Sequence, residues 1–129
     1  MSDQQNIPSN VLLEVIDGSE NGLLYTIVNK TITIGRHKNC DVCLKDEFVS
    51  NKHCQIVFRG GHFTIIDLGS MNKTKVSEKA YIQKNLKNKD IITLGKTKIV
   101  FHWNDQDITL INPLEDIFLD EVNSEAKEL

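Results

Sequence analysis

Cys54-Gln55-Ile56-Val57-Phe58-Arg59-Gly60-Gly61-His62-Phe63-Thr64-Ile65-Ile66-Asp67 decides the fold of this chain. Two short runs, 54–58 and 63–67, are dense in β-branched and aromatic residues, the types that suit a pleated, half-buried surface. Between them stands Arg59-Gly60-Gly61-His62. Adjacent glycines reach positive φ without steric cost, and a tight hairpin loop needs that conformation. The stretch therefore reads as two antiparallel strands joined by a short turn. The same pattern recurs on either side. Upstream, 11–16, 24–28, 31–34 and 42–44 are short and rich in Ile, Val and Thr, and downstream 90–94 and 98–103 repeat that composition. Asp17-Gly18, Asn21-Gly22, Gly69-Ser70 and Gly95 punctuate these runs, and such residues favour turns. Thr31-Ile32-Thr33-Ile34 and Lys98-Ile99-Val100-Phe101 alternate with period two, as half-buried strands do. Many short strands at near-regular spacing, with no helical pattern between them, predict an all-β chain closed as a sandwich or barrel.

The chain of 129 residues has the size of one domain, and its 40% hydrophobic content supplies a modest core. No apolar run reaches the roughly 18 residues of a membrane-spanning helix. Residues 1–10 are polar, with neither a basic start nor an apolar centre, so they read as a disordered leader and not as a secretory signal. Cys40, Cys43 and Cys54 make an odd number without an export signal, which points to reduced thiols in an intracellular protein, nuclear or cytoplasmic. Charge is segregated along the chain. Residues 1–104 hold 14 of the 15 Lys and Arg and 10 of the 18 Asp and Glu, a net +4, whereas 105–129 hold Lys127 and eight acids, a net −7. A basic body suits an anionic partner, and the acidic tail is either a competitor for it or a solvated terminus. Within the tail, Asn112-Pro113-Leu114-Glu115 has the order of an N-cap, a first-turn proline and a capping-box acid. A short helix over 113–123 would place Leu114, Ile117, Phe118 and Val122 on one face, and at that length it needs a surface to dock on.

Three polar clusters fall where one apolar strand gives way to the next: Gly35-Arg36, Ser50-Asn51-Lys52-His53 and Gly69-Ser70-Met71-Asn72-Lys73-Thr74. Together they offer a guanidinium fork, several hydroxyls, side-chain amides and lysines. That inventory suits a phosphate and the main chain of the peptide that carries it. No pair of groups in them is arranged for catalysis.

In order and spacing the clusters resemble the forkhead-associated (FHA) domain, a phosphothreonine-binding module. The family has a Gly-Arg after its third strand and a Ser-x-x-His before its fifth, matched here by Gly35-Arg36 and Ser50 to His53. Its Asp-Leu-x-Ser-x-Asn-Gly-Thr segment is similar to Asp67-Leu68-Gly69-Ser70-Met71-Asn72-Lys73-Thr74. The resemblance covers about residues 11–103 and implies an FHA domain at 11–104, a two-sheet β-sandwich of about 11 short strands. It implies that Arg36 and Ser50 bind the phosphate and that Asn51 and Asn72 hold the peptide backbone. Gly35, His53, Ser70 and Thr74 then support the site, with His53 bracing the loop without touching the ligand. Two positions depart from the family pattern: Lys73 stands where glycine is usual, and Met71 where threonine, serine or lysine is common. The first predicts a changed turn, because glycine there permits positive φ. The second removes a hydroxyl from the phosphate's surroundings.

Family specificity is read mainly at the third residue after the phosphothreonine, which directs attention to Phe48, Met71 and Lys73. No basic residue accompanies Glu47-Phe48-Val49. An apolar peptide side chain packed on Phe48 or Met71 is therefore the expectation, and an acidic one is not favoured. The resemblance further implies threonine-phosphorylated protein partners in signalling, with nuclear, cell-cycle and DNA-damage settings common in the family. It implies no cofactor and no direct contact with nucleic acid or membrane. Contact between the acidic tail and the basic loops is a further expectation.

Three rival readings follow from the same residues. Cys40-Asp41-Val42-Cys43 with His53-Cys54 has the ligand types of a zinc site, but no second spaced pair, and Cys43 and Cys54 sit in apolar strand patterns. Arg36, Ser50 and His53 as a hydrolase cluster lack a carboxylate to orient the histidine. A phosphate-independent interaction or dimerisation scaffold, using Phe118 and the acidic tail, remains the alternative to the phosphopeptide reading.

Overall fold

The computed structural model of the chain describes residues 7–103. It contains eleven strands: β1 (Val11–Asp17), β2 (Leu24–Thr26), β3 (Thr31–Gly35), β4 (Val42–Cys43), β5 (Cys54–Arg59), β6 (His62–Asp67), β7 (Lys75–Val76), β8 (Lys79–Ala80), β9 (Gln83–Asn85), β10 (Ile91–Leu94) and β11 (Thr97–Trp103). They form a six-stranded sheet in the order β2-β1-β11-β10-β7-β8 and a five-stranded sheet in the order β4-β3-β5-β6-β9. Among the described residues only β3 and β4 pair in parallel. The all-β, two-sheet architecture is the one expected from sequence. The helix expected over 113–123, and the tail that contains it, lie outside the described residues. Of the leader, Ile7 packs against the core.

The pleat explains which residues fill the space between the sheets. In β1, Val11, Leu13 and Val15 are buried while Leu12 and Glu14 are not, and β5 and β11 alternate in the same way. The inward residues form one apolar core, with an aromatic cluster at its end. There the Phe63 ring centroid lies 4.6 Å from Phe58, 5.1 Å from Trp103 and 5.5 Å from Phe101, mostly in the tilted or edge-on arrangements that aromatic quadrupoles favour.

The hairpin that anchors the reading forms as its glycines require. Arg59 pairs with His62, and Gly60 and Gly61 take φ of +64° and +81°. Three strands carry no apolar run in the sequence. β7, β8 and β9 are short, and Lys75, Lys79, Gln83 and Asn85 on them are exposed. β8 and β9 are edge strands, held by backbone pairing with one neighbour.

Strand direction assembles the site. The end of β3, the start of β5, the end of β6 and the β10–β11 turn all lie at one end of the sandwich, tied together by loop hydrogen bonds. The three polar clusters thus share one rim.

Candidate functional site

The loop between β4 and β5 is the frame on which the others hang. The Arg36 N–H donates to the Ser50 carbonyl at 3.0 Å, and the His37 N–H to the Asn51 carbonyl at 3.2 Å, so the chain leaving β3 runs against this loop. Only glycine permits so close an approach. A Cβ on Gly35 would stand 2.1 Å from the Asn51 carbonyl oxygen.

The Arg36 side chain is exposed at this junction. Its Nε–H donates to the Val49 carbonyl at 3.0 Å. Among the described residues its remaining N–H groups have no partner. The guanidinium is thus oriented by one bond, with four donors left for a ligand. Ser50 stands beside it. The Ser50 Oγ accepts the Met71 N–H at 3.0 Å. Its own O–H donates to nothing among the described residues.

His53 is fully buried beneath. Its Nδ1 accepts the Ser50 N–H at 3.0 Å, which places the ring hydrogen on Nε2, and Nε2–H donates to the Lys73 carbonyl at 2.7 Å. The ring links the two loops and spends both nitrogens doing so.

In the third cluster Asp67 is the hub. Its carboxylate accepts the N–H groups of Gly69 at 2.9 Å and Ser70 at 3.0 Å, the Thr74 hydroxyl at 2.7 Å and the Ser70 hydroxyl. Burial alone would push this carboxyl up, but the hydrogen bonds from Ser70, Thr74 and Gly69 outweigh it and hold the group below its usual value. Ser70 and Thr74 are buried and serve the loop through Asp67. Asn72 is exposed, and its Nδ2–H donates to the Phe48 carbonyl at 2.8 Å, which leaves Oδ1 and a second N–H directed elsewhere. Met71 is 81% exposed.

Sequence predicts a changed turn at Lys73. The structure keeps the glycine-like one instead: Lys73 has φ of +70°. The turn is retained because its neighbours fix it, through the Lys73 carbonyl on His53 and the Thr74 hydroxyl on Asp67. Lys73 therefore carries a left-handed backbone that costs an L-residue roughly 1–2 kcal/mol.

Phe48 is 40% exposed rather than core. Asp46, two residues earlier, accepts the Phe48 N–H at 2.8 Å, the Lys96 N–H at 2.7 Å and the Thr97 hydroxyl at 2.8 Å. Burial opposes its ionisation, but these hydrogen bonds and the nearby Lys96 hold the carboxyl below its usual value. The consequence is that the β10–β11 turn folds over the loop, with the Lys96 Nζ 4.8 Å from the Phe48 ring centroid. Sequence reasoning missed this lysine, which no local signal connects to Phe48. The Asp46 and Asp67 hubs have a local signal, an aspartate that bonds the backbone two residues on.

Two grooves flank the Arg36–Ser50 junction. Asn51 lines one of about 690 Å³ with Thr33, His37, Asn39, Cys40 and Lys52. Asn72 lines another of about 280 Å³ with Phe48, Lys75 and Lys96. The rim therefore presents an arginine and a serine between two amide side chains. The zinc ligand types are not drawn together here. Cys40 donates to the Asn51 carbonyl, Cys54 lies in the core with its thiol pushed up by burial, and no metal-holding cluster occurs among the described residues.

The FHA domain family model matches residues 32–95, from β3 to the β10–β11 turn. An FHA structure from a study of phosphothreonine-dependent FHA domain interactions superposes with a TM-score of 0.68 at 31% identity, over 73% of this chain and 96% of that one. The chain belongs to the FHA family. The FHA domain of FhaA, complexed with the intracellular domain of Rv3910, superposes with a TM-score of 0.66 at 31% identity, covering 72% of this chain and all of that chain. The glycogen accumulation regulator GarA of Mycolicibacterium smegmatis is 33% identical over 102 residues, 78% of this chain. The chain spans 65% of that relative's length. FHA domains bind phosphothreonine, and the segment that matches the family model, residues 32–95, contains both Arg36 and Ser50.

Proposed function

We propose that this FHA domain is a non-enzymatic module that recruits threonine-phosphorylated proteins inside the cell. In this reading Arg36 and Ser50 take the phosphate, Asn51 and Asn72 hold the peptide main chain, and residues 11–104 are the binding unit. The observation that carries it is the pairing of unspent donors at one point. Arg36 keeps four N–H groups and Ser50 keeps its O–H, while the Arg36 N–H bond to the Ser50 carbonyl holds the two side by side. Charge-assisted bonds from a guanidinium fork are the strong kind, and a dianionic phosphate uses several at once.

The regulator named among the relatives and the protein partner seated on the FhaA domain support recruitment over catalysis. The expectations of a nucleus and of DNA-damage signalling draw no support from bacterial relatives. The partner class is therefore a phosphoprotein in bacterial-type signalling. The acidic tail, 105–129, competes in cis for the cationic rim, so its removal raises peptide affinity at low salt, and unchanged affinity removes the tail from the scheme.

Titration against matched phosphothreonine, phosphoserine and unphosphorylated peptides tests the reading. Selective phosphothreonine binding that falls by about 30-fold or more in Arg36→Ala is expected, the loss of one side of a charged pair costing roughly 2 kcal/mol or more. Equal binding of phosphorylated and unphosphorylated peptides overturns it in favour of a phosphate-independent scaffold.

A further inference from the structure

The groove beside Asn72 is more basic than the loop sequence that borders it. Phe48 comes from the β4–β5 loop, Lys75 from β7, Thr93 from β10 and Lys96 from the β10–β11 turn. No two of these are neighbours in sequence. Their meeting point is a groove of about 280 Å³ lined by one aromatic residue and two lysines, with the Lys96 Nζ over the Phe48 ring.

The state of those two charges is informative. Lys75 is exposed and has no side-chain partner among the described residues. Lys96 lies over the Phe48 ring and makes no ion pair there, although Asp46 is close enough to feel its charge. Asp46 cannot serve as its counterion in full, because three donors already occupy that carboxylate: the Phe48 N–H, the Lys96 N–H and the Thr97 hydroxyl. Glu47 is the other acid in the loop, and it forms no ion pair among the described residues. An ammonium over an aromatic ring is partly stripped of water and remains available to an anion above it.

The groove also stands in register with the phosphate site. The Ser50 Oγ holds the Met71 N–H, and the Asn72 amide holds the Phe48 carbonyl. One step of chain thus separates the phosphate-facing hydroxyl from the groove wall. A peptide whose main chain crosses Asn72 passes beside the groove that Asn72 and Phe48 both line.

We propose that this groove reads an acidic side chain of the phosphopeptide, with Lys75 and Lys96 as the specificity-determining residues and Phe48 supporting the stem of that side chain. This rests on the phosphopeptide reading above and reverses the preference expected from residues 47–49 alone. Glutamate suits the groove because its methylenes cover the ring while its carboxylate reaches both ammonium groups. A single exposed ion pair gives little, but two cations converging on one carboxylate above an apolar floor give about a three- to ten-fold gain at low ionic strength.

The experiment uses the full chain and a phosphothreonine peptide with neutral flanks, in which one Glu or one Gln is walked through each position on both sides of the phosphothreonine. The expected result is one position on one side where Glu binds about three- to ten-fold tighter than Gln, a ratio that falls towards one in Lys75→Gln/Lys96→Gln and at 0.5 M salt, where the Debye length is a few ångströms. Lys75→Glu then shifts preference at that same position towards Lys. Phosphothreonine binding that depends on Arg36 but shows a Glu/Gln ratio near one at every position overturns this inference and leaves the phosphopeptide reading standing. A Glu/Gln gain that persists unchanged in the double variant also overturns it. Loss of all phosphate-dependent binding in the parent would instead defeat the reading beneath it.

Discussion

Gly35→Ala separates the space that glycine provides from the φ it permits, because Gly35 does not have positive φ. The added Cβ would lie 2.1 Å from the Asn51 carbonyl oxygen, 2.8 Å from the Asn51 carbonyl carbon and 3.0 Å from the Cys40 Sγ. Backbone cannot rotate away as a side chain can, so the β4–β5 loop must retreat by about 1 Å to regain a normal contact. The two bonds that close this junction, Arg36 N–H to Ser50 and His37 N–H to Asn51, already measure 3.0 and 3.2 Å and would not survive the shift. Their loss contributes about 1 kcal/mol each. Residual overpacking contributes about 1–3 kcal/mol more. A total of about 3–5 kcal/mol leaves the chain folded at all but the low end of ordinary stability, roughly 5–15 kcal/mol. Urea unfolding should show the midpoint lowered by about 2–3 M at an m near 1.5 kcal/mol/M, with m unchanged. Phosphopeptide affinity should fall as well, since the same retreat parts Ser50 from Arg36. Gly61→Ala is the comparison, for its added Cβ meets nothing within 4 Å and only its φ of +81° is strained. It should cost about 1 kcal/mol and leave binding intact. A Gly35→Ala protein within about 0.5 kcal/mol of the parent would refute the argument that this junction has no room.

Lys73→Gly should stabilise the chain by about 0.5–1 kcal/mol in the same urea assay, the relief of a φ of +70° being partly offset by the freer unfolded chain; a loss of stability would mean that the Lys73 side chain holds the turn. Met71→Thr should tighten phosphothreonine binding several-fold, about 1 kcal/mol, because it restores a hydroxyl next to an N–H already fixed on Ser50, and calorimetry with one peptide checks it. Asp67→Asn should destabilise by about 1–3 kcal/mol at neutral pH, since an amide cannot accept all four of the donors now on the carboxylate. The pH dependence has a definite sign. Asp67 and Asp46 both have folded values below their unfolded ones, so their stabilisation is complete above about pH 4 and is lost as pH falls through the lower folded values. The gap between parent and Asp67→Asn should therefore narrow in acid, and a gap constant down to pH 2 would exclude the carboxylate as the hub.

The strands with a buried face could be read from the sequence by itself. Period-two patterning in 31–34 and 54–58, and the Gly60-Gly61 turn with its paired positive φ, are local consequences of which residues suit a pleat and which reach left-handed backbone. The Gly-Arg and Ser-x-x-His clusters were legible as well, because each is a short segment at a strand end. Three strands were not. β7, β8 and β9 have no apolar run, and they are strands only because β10 and β6 offer open backbone edges beside them. The Asp67 hub gathers donors from its own loop, Gly69 to Thr74, whereas Asp46 shows locally only its bond to Phe48 and draws its other donors from as far away as Lys96 and Thr97. The same distance hid the basic groove: residues 47–49 carry no cation, and Lys75 and Lys96 line one groove with Phe48 only when β7 and the β10–β11 turn are stacked at one end of the sandwich. Local patterning sets what a segment can become, whereas the electrostatic surroundings of a side chain depend on neighbours that only the packing of two sheets brings near.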